Sequence, residues 1–214
     1  MSYKQKLDNF ADAAIAIFVK ADATPILTEN YGWENYRFTS DTIRVAHIER
    51  YSDGKLDVLH ITCFPATDHY APIFGFDIIT TEKKCLAAFL DWSPTVCTDP
   101  IVAGHTYYTY DTQYKLPDWA TLIFSSYATA IVPSECEFDI ICYEALNSLH
   151  IYVDRYCTHK MPLMIKDTMH NTDLQNYYCT QQLKNERTYN VLKAKLGEDR
   201  AKQFMENILF PKAK

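Results

Sequence analysis

Three apolar runs lie close together in the chain, and each is interrupted by one titratable residue. They are Leu59-His60-Ile61-Thr62-Cys63-Phe64-Pro65, Pro72-Ile73-Phe74-Gly75-Phe76-Asp77-Ile78-Ile79 and Ala87-Ala88-Phe89-Leu90-Asp91-Trp92-Ser93. Runs this rich in β-branched and aromatic residues, with turn residues between them, read as consecutive strands. A sheet apolar on both faces has to be covered on both sides, which restricts the chain to a layered architecture. The His60, Asp77 and Asp91 side chains are costly to bury in such a sheet, so each calls for a partner or a use.

The rest of the chain supplies the covering layers. Residues 42–51 form a strand, Ser52-Asp53-Gly54 its turn, and residues 55–64 the next strand. A third strand spans 73–81, Thr81-Glu82-Lys83-Lys84 turns the chain, and a fourth spans 85–92. Connections this short require antiparallel pairing. Phe10, Ala13, Ala14, Ile17 and Phe18 recur at helical spacing and predict a helix over 3–20, ended by the loop around Thr24-Pro25. Residues 26–38, with Tyr31, Trp33, Tyr36 and Phe38, are aromatic and read as irregular. Pro117-Asp118-Trp119 opens a helical segment reaching Tyr127. Ser134, with Glu137 three residues on, caps a long helix to about His159. Two more helices are predicted over 171–195 and 198–209. With no repeat, low-complexity stretch or linker, residues 1–214 read as a single α/β domain, an antiparallel sheet with helices on both faces.

Composition narrows the function. At 48% hydrophobic and 14% aromatic, the chain can bury a core and is not disordered. Its 16 Tyr suit pocket walls, having an apolar body and a polar tip. There is no G-x-G-x-x-G and no G-x-x-x-x-G-K-[ST], hence no phosphate-cradling loop. A net charge of −6 argues against nucleic acid as the main partner. The tail from residue 184 on, about the last thirty residues, is more basic, with Lys184, Arg187, Lys193, Lys195, Arg200, Lys202, Lys212 and Lys214. Seven scattered Cys with no C-x-x-C pair, no signal peptide and no apolar stretch approaching ~18 residues predict a cytoplasmic protein with free thiols and no membrane span.

Strand parity then assembles a candidate site. Period-two alternation places Val45, His47 and Glu49 on one face of their strand, Val58, His60 and Thr62 on one face of the next, and Gly75, Asp77 and Ile79 on one face of the third. With the strands in register, Glu49, His60 and Asp77 converge. A His beside a carboxylate is held charged, and a carboxylate in an apolar setting keeps its proton longer, so such a cluster can donate and accept protons. The pattern alone favours a buried, satisfied His–Asp pair that supports the sheet over a catalytic cluster. His47-Ile48-Glu49 has the H-x-E of zinc deaminases but lacks the P-C-x-x-C partner. The remaining His, His159 and His170 among them, have no metal-like spacing, so no metal is expected. No G-x-S-x-G elbow or Cys nucleophile signature is present.

At Phe74-Gly75-Phe76-Asp77, Asp91-Trp92-Ser93-Pro94, the run from Gln181 to Leu192, and Leu196-Gly197-Glu198 with Ile208-Leu209-Phe210, the chain resembles the ferredoxin-dependent bilin reductases. The resemblance implies a three-layer α/β/α sandwich with a central antiparallel sheet. It implies biliverdin IXα as substrate, held between sheet and C-terminal helices, and reduced ferredoxin as an external electron donor, with no bound cofactor. Reduction would pass through bilin radicals to phycoerythrobilin or phycocyanobilin, so the protein's task is to place protons. The family's central proton donor falls on Asp77. The position that is His in phycocyanobilin-forming members falls on His60, and their catalytic Glu on Glu49.

The same resemblance puts Asn185, Arg187, Val191, Phe74 and Ser125 against the pigment. The helical motif that often reads N-D-K-T is here Asn185-Glu186-Arg187-Thr188, so Glu186 would replace an Asp that donates a second proton, and Arg187 a pocket Lys. Where the family often has an Arg for a propionate this chain has Val132, leaving Arg187, Lys184 or Arg155 as the alternative cations. The compact chain resembles phage-encoded members and implies a monomer, in a host cytoplasm if phage-encoded. A non-catalytic bilin carrier on the same scaffold is the alternative, and a carrier has no need of titratable groups beside the pigment.

Overall fold

The short turns force neighbouring strands to pair, and they do so along the whole sheet. In the computed structural model, which describes residues 1–98 and 108–214, the sheet has seven strands. They are β1 (Thr24–Ile26), β2 (Glu34–Thr39), β3 (Ile43–Ser52), β4 (Asp57–Pro65), β5 (Ile73–Thr80), β6 (Cys85–Ser93) and β7 (Thr129–Ile131), and they lie side by side in chain order. Every neighbouring pair is antiparallel. Residues 26–38 are irregular only over 27–33, since the segment also includes the end of β1 and most of β2. The β2 side chains Asn35, Tyr36 and Arg37 are all half-buried, so apolar and polar positions do not alternate and the period-two signal is lost.

One face of the sheet is closed by α1 (Tyr3–Lys20) and α3 (Glu135–Tyr152). There Ile48, Leu59, Ile61, Phe74, Phe76, Ile78, Leu90 and Trp92 meet Phe10, Ala14, Phe18, Phe138, Ile141 and Leu149 in one buried cluster. Phe10 stacks on Phe76 at 5.1 Å, and full burial of each such ring contributes about 2–3 kcal/mol. The predicted cap of α3 is present: the Ser134 N–H and hydroxyl both donate to Glu137 Oε2, at 2.8 and 2.6 Å. The helix continues as a π-helical turn, Val153–Cys157, close to the expected end.

The other face carries α4 (Ile165–Gln182), α5 (Glu186–Leu196) and α6 (Glu198–Phe204), the last followed by a π-helical turn, Met205–Leu209. Tyr178, Cys179, Leu192, Phe204, Ile208 and Phe210 pack there on Val45, Phe64 and Ile73. The expected helix over 171–195 is two helices. The buried positions of α4 include Asn171, Gln175, Gln181 and Gln182, so its early turns show no apolar stripe. Asn185 then ends the run, because its Oδ1 accepts the Thr188 N–H at 3.2 Å and restarts the chain as an N-cap. In the 117–127 segment only α2 (Asp118–Thr121) is helical, and the chain beyond it is drawn onto β6 by Asp91.

Candidate active site

Glu49, His60 and Asp77 are direct partners across β3, β4 and β5, and the row continues to Phe89 on β6. A single transverse row of the sheet thus carries all three residues on the face under α4, α5 and α6. His60 Nδ1 and Asp77 Oδ1 are 2.6 Å apart. His60 is sealed in the sheet, whereas 35% of the Asp77 side chain remains exposed, so the pair reaches from the interior to an accessible surface. Half-buried Val58, Ile79 and Phe89 share this face and surround the triad with apolar floor.

Glu49 and His60 are held from outside the row as well. The Trp33 indole N–H donates to Glu49 Oε1 at 2.6 Å. His47, two residues before Glu49, lies beside His60 with ring centroids 5.7 Å apart, and its Nε2 is 2.9 Å from Asn35 Oδ1. The Phe210 ring meets the His60 ring edge-on at 6.0 Å. In the next row Gly75 has no side chain, and the Tyr178 hydroxyl sits 3.7 Å from where its Cβ would be, while accepting the Gln182 amide N–H at 2.9 Å.

The charges follow from burial and proximity. Burial pushes the Glu49 carboxyl up from 4.5 to about 7, against the pull of His60 and the Trp33 hydrogen bond. Burial alone would lower His60, but the Asp77 carboxylate at its Nδ1, helped by Glu49, outweighs it and raises the imidazole above its ordinary value. His47 goes the other way: burial, with His60 and Arg37 nearby, holds it well below 6.5, so it is neutral. Its Nδ1 has no partner among the described residues.

The remaining predicted site residues are distributed unevenly. Arg187 stacks over the Tyr114 ring at 5.8 Å and donates to its hydroxyl, and Tyr114 meets Phe89 edge-on at 4.9 Å. Through these two rings Arg187 connects to the strand position beside Asp77. Asn185 caps α5, Glu186 stands exposed in its first turn, and Val191 is half-buried further along it. Ser125 is engaged by Asp91: its hydroxyl donates to Asp91 Oδ1 at 2.5 Å and its N–H to both carboxylate oxygens, while Ser93 donates at 2.5 Å. Burial raises Asp91 above the usual carboxylate range. Ser125 also lines an open cleft with Pro72, Trp92, Pro94 and Tyr127.

Phe74 does not belong to the site. It is one residue out of phase with Gly75 and Asp77, so it points to the opposite face, fully buried 5.5 Å from the Tyr152 ring. Arg155 lies on the turn after α3, over Tyr156, in the layer beyond the sheet from the triad, and drops out as a cation for this face. Lys184 donates to Gln181 Oε1 at 2.7 Å. Trp33, Asn35, Tyr178 and Phe210 were not anticipated. The one local signal for Tyr178 is Gly75 itself, since a glycine inside a strand marks a site of close approach. Nothing local marks Trp33, which reaches Glu49 only once residues 27–33 fold over the sheet. Among the described residues no group of three His, Cys, Asp or Glu could hold a metal ion.

Comparison with known proteins places this geometry. The family model described as ferredoxin-dependent bilin reductase matches residues 24–211. The phycocyanobilin:ferredoxin oxidoreductase of Synechococcus elongatus is 31% identical over 186 residues, covering 83% of this chain and 75% of the relative. That of Trichodesmium erythraeum is 26% identical over 188 residues, with 83% and 75% covered. Phytochromobilin synthase from tomato, solved in complex with biliverdin, shares the fold at a TM-score of 0.72 and 18% identity, over 98% of this chain and 83% of that one. The solved structure of PcyX shares it at 0.67 and 24% identity, over 97% and 99%. With a family match running from the first strand to the residue after Phe210, this chain belongs to the ferredoxin-dependent bilin reductases and is an oxidoreductase.

Proposed function

We propose that the protein reduces biliverdin IXα to a phycobilin, phycoerythrobilin or phycocyanobilin, in single-electron steps with protons supplied by Asp77, His60 and Glu49. The observation that carries this reading is the hydrogen-bonded His60–Asp77 pair, 2.6 Å apart, beside a Glu49 carboxyl whose pKa burial pushes up to about 7. Each electron added to the pigment makes its nitrogens and carbons more basic, and a proton must follow at a defined atom. Asp77 is the exposed end of the pair and delivers the proton. His60, whose cationic form is favoured by the Asp77 carboxylate at its Nδ1, shares that proton and can restore it. Glu49 retains a proton near neutrality and serves the end of the pigment over β3. Glu186, at the start of α5, is assigned the other end.

Val58, Ile79 and Phe89 give the conjugated ring system an apolar floor. Asn185, Arg187 and Val191 are assigned to the opposite wall, and Ser125 to its far edge. Arg187 and Lys184 are the cations available to the substrate's carboxylates. Ferredoxin delivers the electrons as an external partner, docking on the basic rim formed by the Lys and Arg of the last thirty residues. Residues 1–214 act as one catalytic unit, monomeric and cytoplasmic, and no described helix is long and apolar enough to cross a membrane.

The test is an anaerobic mixture of protein, biliverdin, ferredoxin and a reducing system, followed by visible absorption and product chromatography. Loss of the biliverdin band through a radical species to a reduced bilin is expected. Asp77→Asn should bind the pigment and stall before product. Full turnover by that variant removes Asp77 from its role, and a biliverdin spectrum that electrons leave unchanged overturns the enzyme reading.

A further inference from the structure

The carboxyl proton of Glu49 has two oxygens to choose from, and the fold treats them differently. Oε1 accepts the Trp33 indole N–H at 2.6 Å. An indole nitrogen donates and never accepts, so Oε1 cannot present a proton toward Trp33. No hydrogen bond engages Oε2 among the described residues.

The short arm before β2 is built to deliver that donor. The Gly32 N–H donates to Asn30 Oδ1 at 2.8 Å, and Gly32 takes φ +91°, closing a turn that aims the following residue back at the sheet. Asn35 donates through Nδ2 to the Trp33 carbonyl at 3.2 Å while its Oδ1 meets His47 Nε2, so one side chain fixes both the arm and the neighbouring imidazole. The Trp33 ring is wedged edge-on between Tyr51 and Phe204, each at 5.2 Å. Arg200 caps the arm by pairing with Glu29 and lying over Tyr31 at 5.4 Å. A tryptophan held this firmly supplies a donor of fixed position, which a solvent molecule does not.

We propose that Trp33 is the positioning residue of Glu49, engaging Oε1 as the carbonyl-type acceptor and so favouring Oε2 as the oxygen that carries the proton Glu49 gives to the pigment. The proposal rests on Glu49 acting as a proton donor to a bilin and names the group that orients it. Besides Trp33, the groups acting on Glu49 are His60 and Asp77 in its own row; the titratable Tyr51 and His47 lie on the same strand, Tyr51 feeling the Glu49 charge and His47 lying beside His60. Phe204 and Phe210, which cover this region, carry no charge. Removing the indole N–H therefore withdraws one interaction that favours the ionised carboxylate and leaves the rest in place.

The test uses two variants: Trp33→Phe, and Trp33 replaced by 3-benzothienylalanine, in which sulfur takes the place of the N–H with the ring shape kept. Infrared difference titration of the bilin-free protein follows the protonated-carboxyl band of Glu49, identified by its loss in Glu49→Gln. In the sulfur isostere the midpoint is expected to rise by about one pH unit, the equivalent of one hydrogen bond to a charged group. The alkaline limb of the turnover profile should move with it, at unchanged KM for the pigment. A midpoint that stays in place in the isostere overturns the proposal whether or not Trp33→Phe folds, because a merely structural tryptophan survives that exchange. Failure of the unsubstituted protein to reduce biliverdin counts against the enzymatic reading instead, since the bilin-free titration does not depend on it.

Discussion

The hydroxyl of Tyr178 rests over Gly75, 3.7 Å from the position a Cβ would occupy, so a helix on one layer touches the backbone of a central strand on another. With no side chain at Gly75, the hydroxyl stands at ordinary van der Waals distance from where a Cβ would be. An alanine there makes ordinary van der Waals contact and should be tolerated. A valine carries methyl groups into the hydroxyl and forces α4 away, an overpacking expected to cost about 1–3 kcal/mol. Urea denaturation of Gly75→Ala and Gly75→Val, compared at one pH, checks this; equal midpoints would show that α4 does not bear on Gly75.

Glu49 makes stability depend on pH in a defined sense. Its folded carboxyl titrates at about 7 and its ordinary value is 4.5, so between those values the folded protein binds more protons than the unfolded chain. Stability therefore falls as pH rises through this window, by an amount of order 3 kcal/mol. Glu49→Gln keeps an oxygen for the Trp33 N–H and loses the titration. The variant is expected to match the unsubstituted protein near pH 4.5 and exceed it at pH 8. Denaturant midpoints at the two pH values decide, and parallel curves would place Glu49 in a wetter setting than the structure gives it.

The triad was legible in the sequence because strand parity is rigid. Glu49, His60 and Asp77 each share a face with residues two away, and short turns allow few registers, so their convergence follows from local arithmetic. The same arithmetic should have removed Phe74, which is adjacent to Gly75 and therefore faces the other layer. Two features were hidden. The strand β2 alternates poorly because its side chains sit half-buried at the flank of the sheet. The start of α4 buries Asn171 and Gln175 instead of apolar residues, so its helical period carries no hydrophobic signal. The hydrogen bonds of Trp33 to Glu49 and Asn35 to His47 depend on how the arm folds back over the sheet, and no spacing rule encodes that. The pairing of Ser125 with Asp91 spans 34 positions and is equally invisible to periodicity.

Arg187 tests the wall opposite the triad. Its guanidinium lies over Tyr114 and bonds the phenol, a pairing of planar cation and donor fork that an ammonium does not reproduce. Arg187→Lys keeps the charge and loses the stacking, worth about 0.5–1 kcal/mol at a partly exposed site. Biliverdin affinity measured by absorption titration is expected to fall a few-fold in Arg187→Lys. Truncation to Ala, which also removes the charge, should weaken it further and flatten its salt dependence. Unchanged affinity in both variants would take Arg187 out of the pigment site.

Asp77 and His60 make the sharpest prediction, since one substitution reverses a sign. In the unsubstituted protein burial lowers the His60 pKa, and the Asp77 charge more than compensates, so the folded value lies above the ordinary 6.5. The protonated imidazole then contributes stability that is fully present below about pH 6.5 and is lost as pH rises through the folded value. Asp77→Asn withdraws the charge and leaves the burial, with only Glu49 still favouring the cation. The His60 pKa is expected to drop below its ordinary value, and the linked stability should now be lost on going down in pH. NMR titration of the His60 ring protons, with Asp77→Asn read beside the unsubstituted protein, measures the shift directly. A His60 that titrates at the same pH in both would mean that the short contact is not the source of its charge, and the proton shared between the two residues would have to be sought elsewhere.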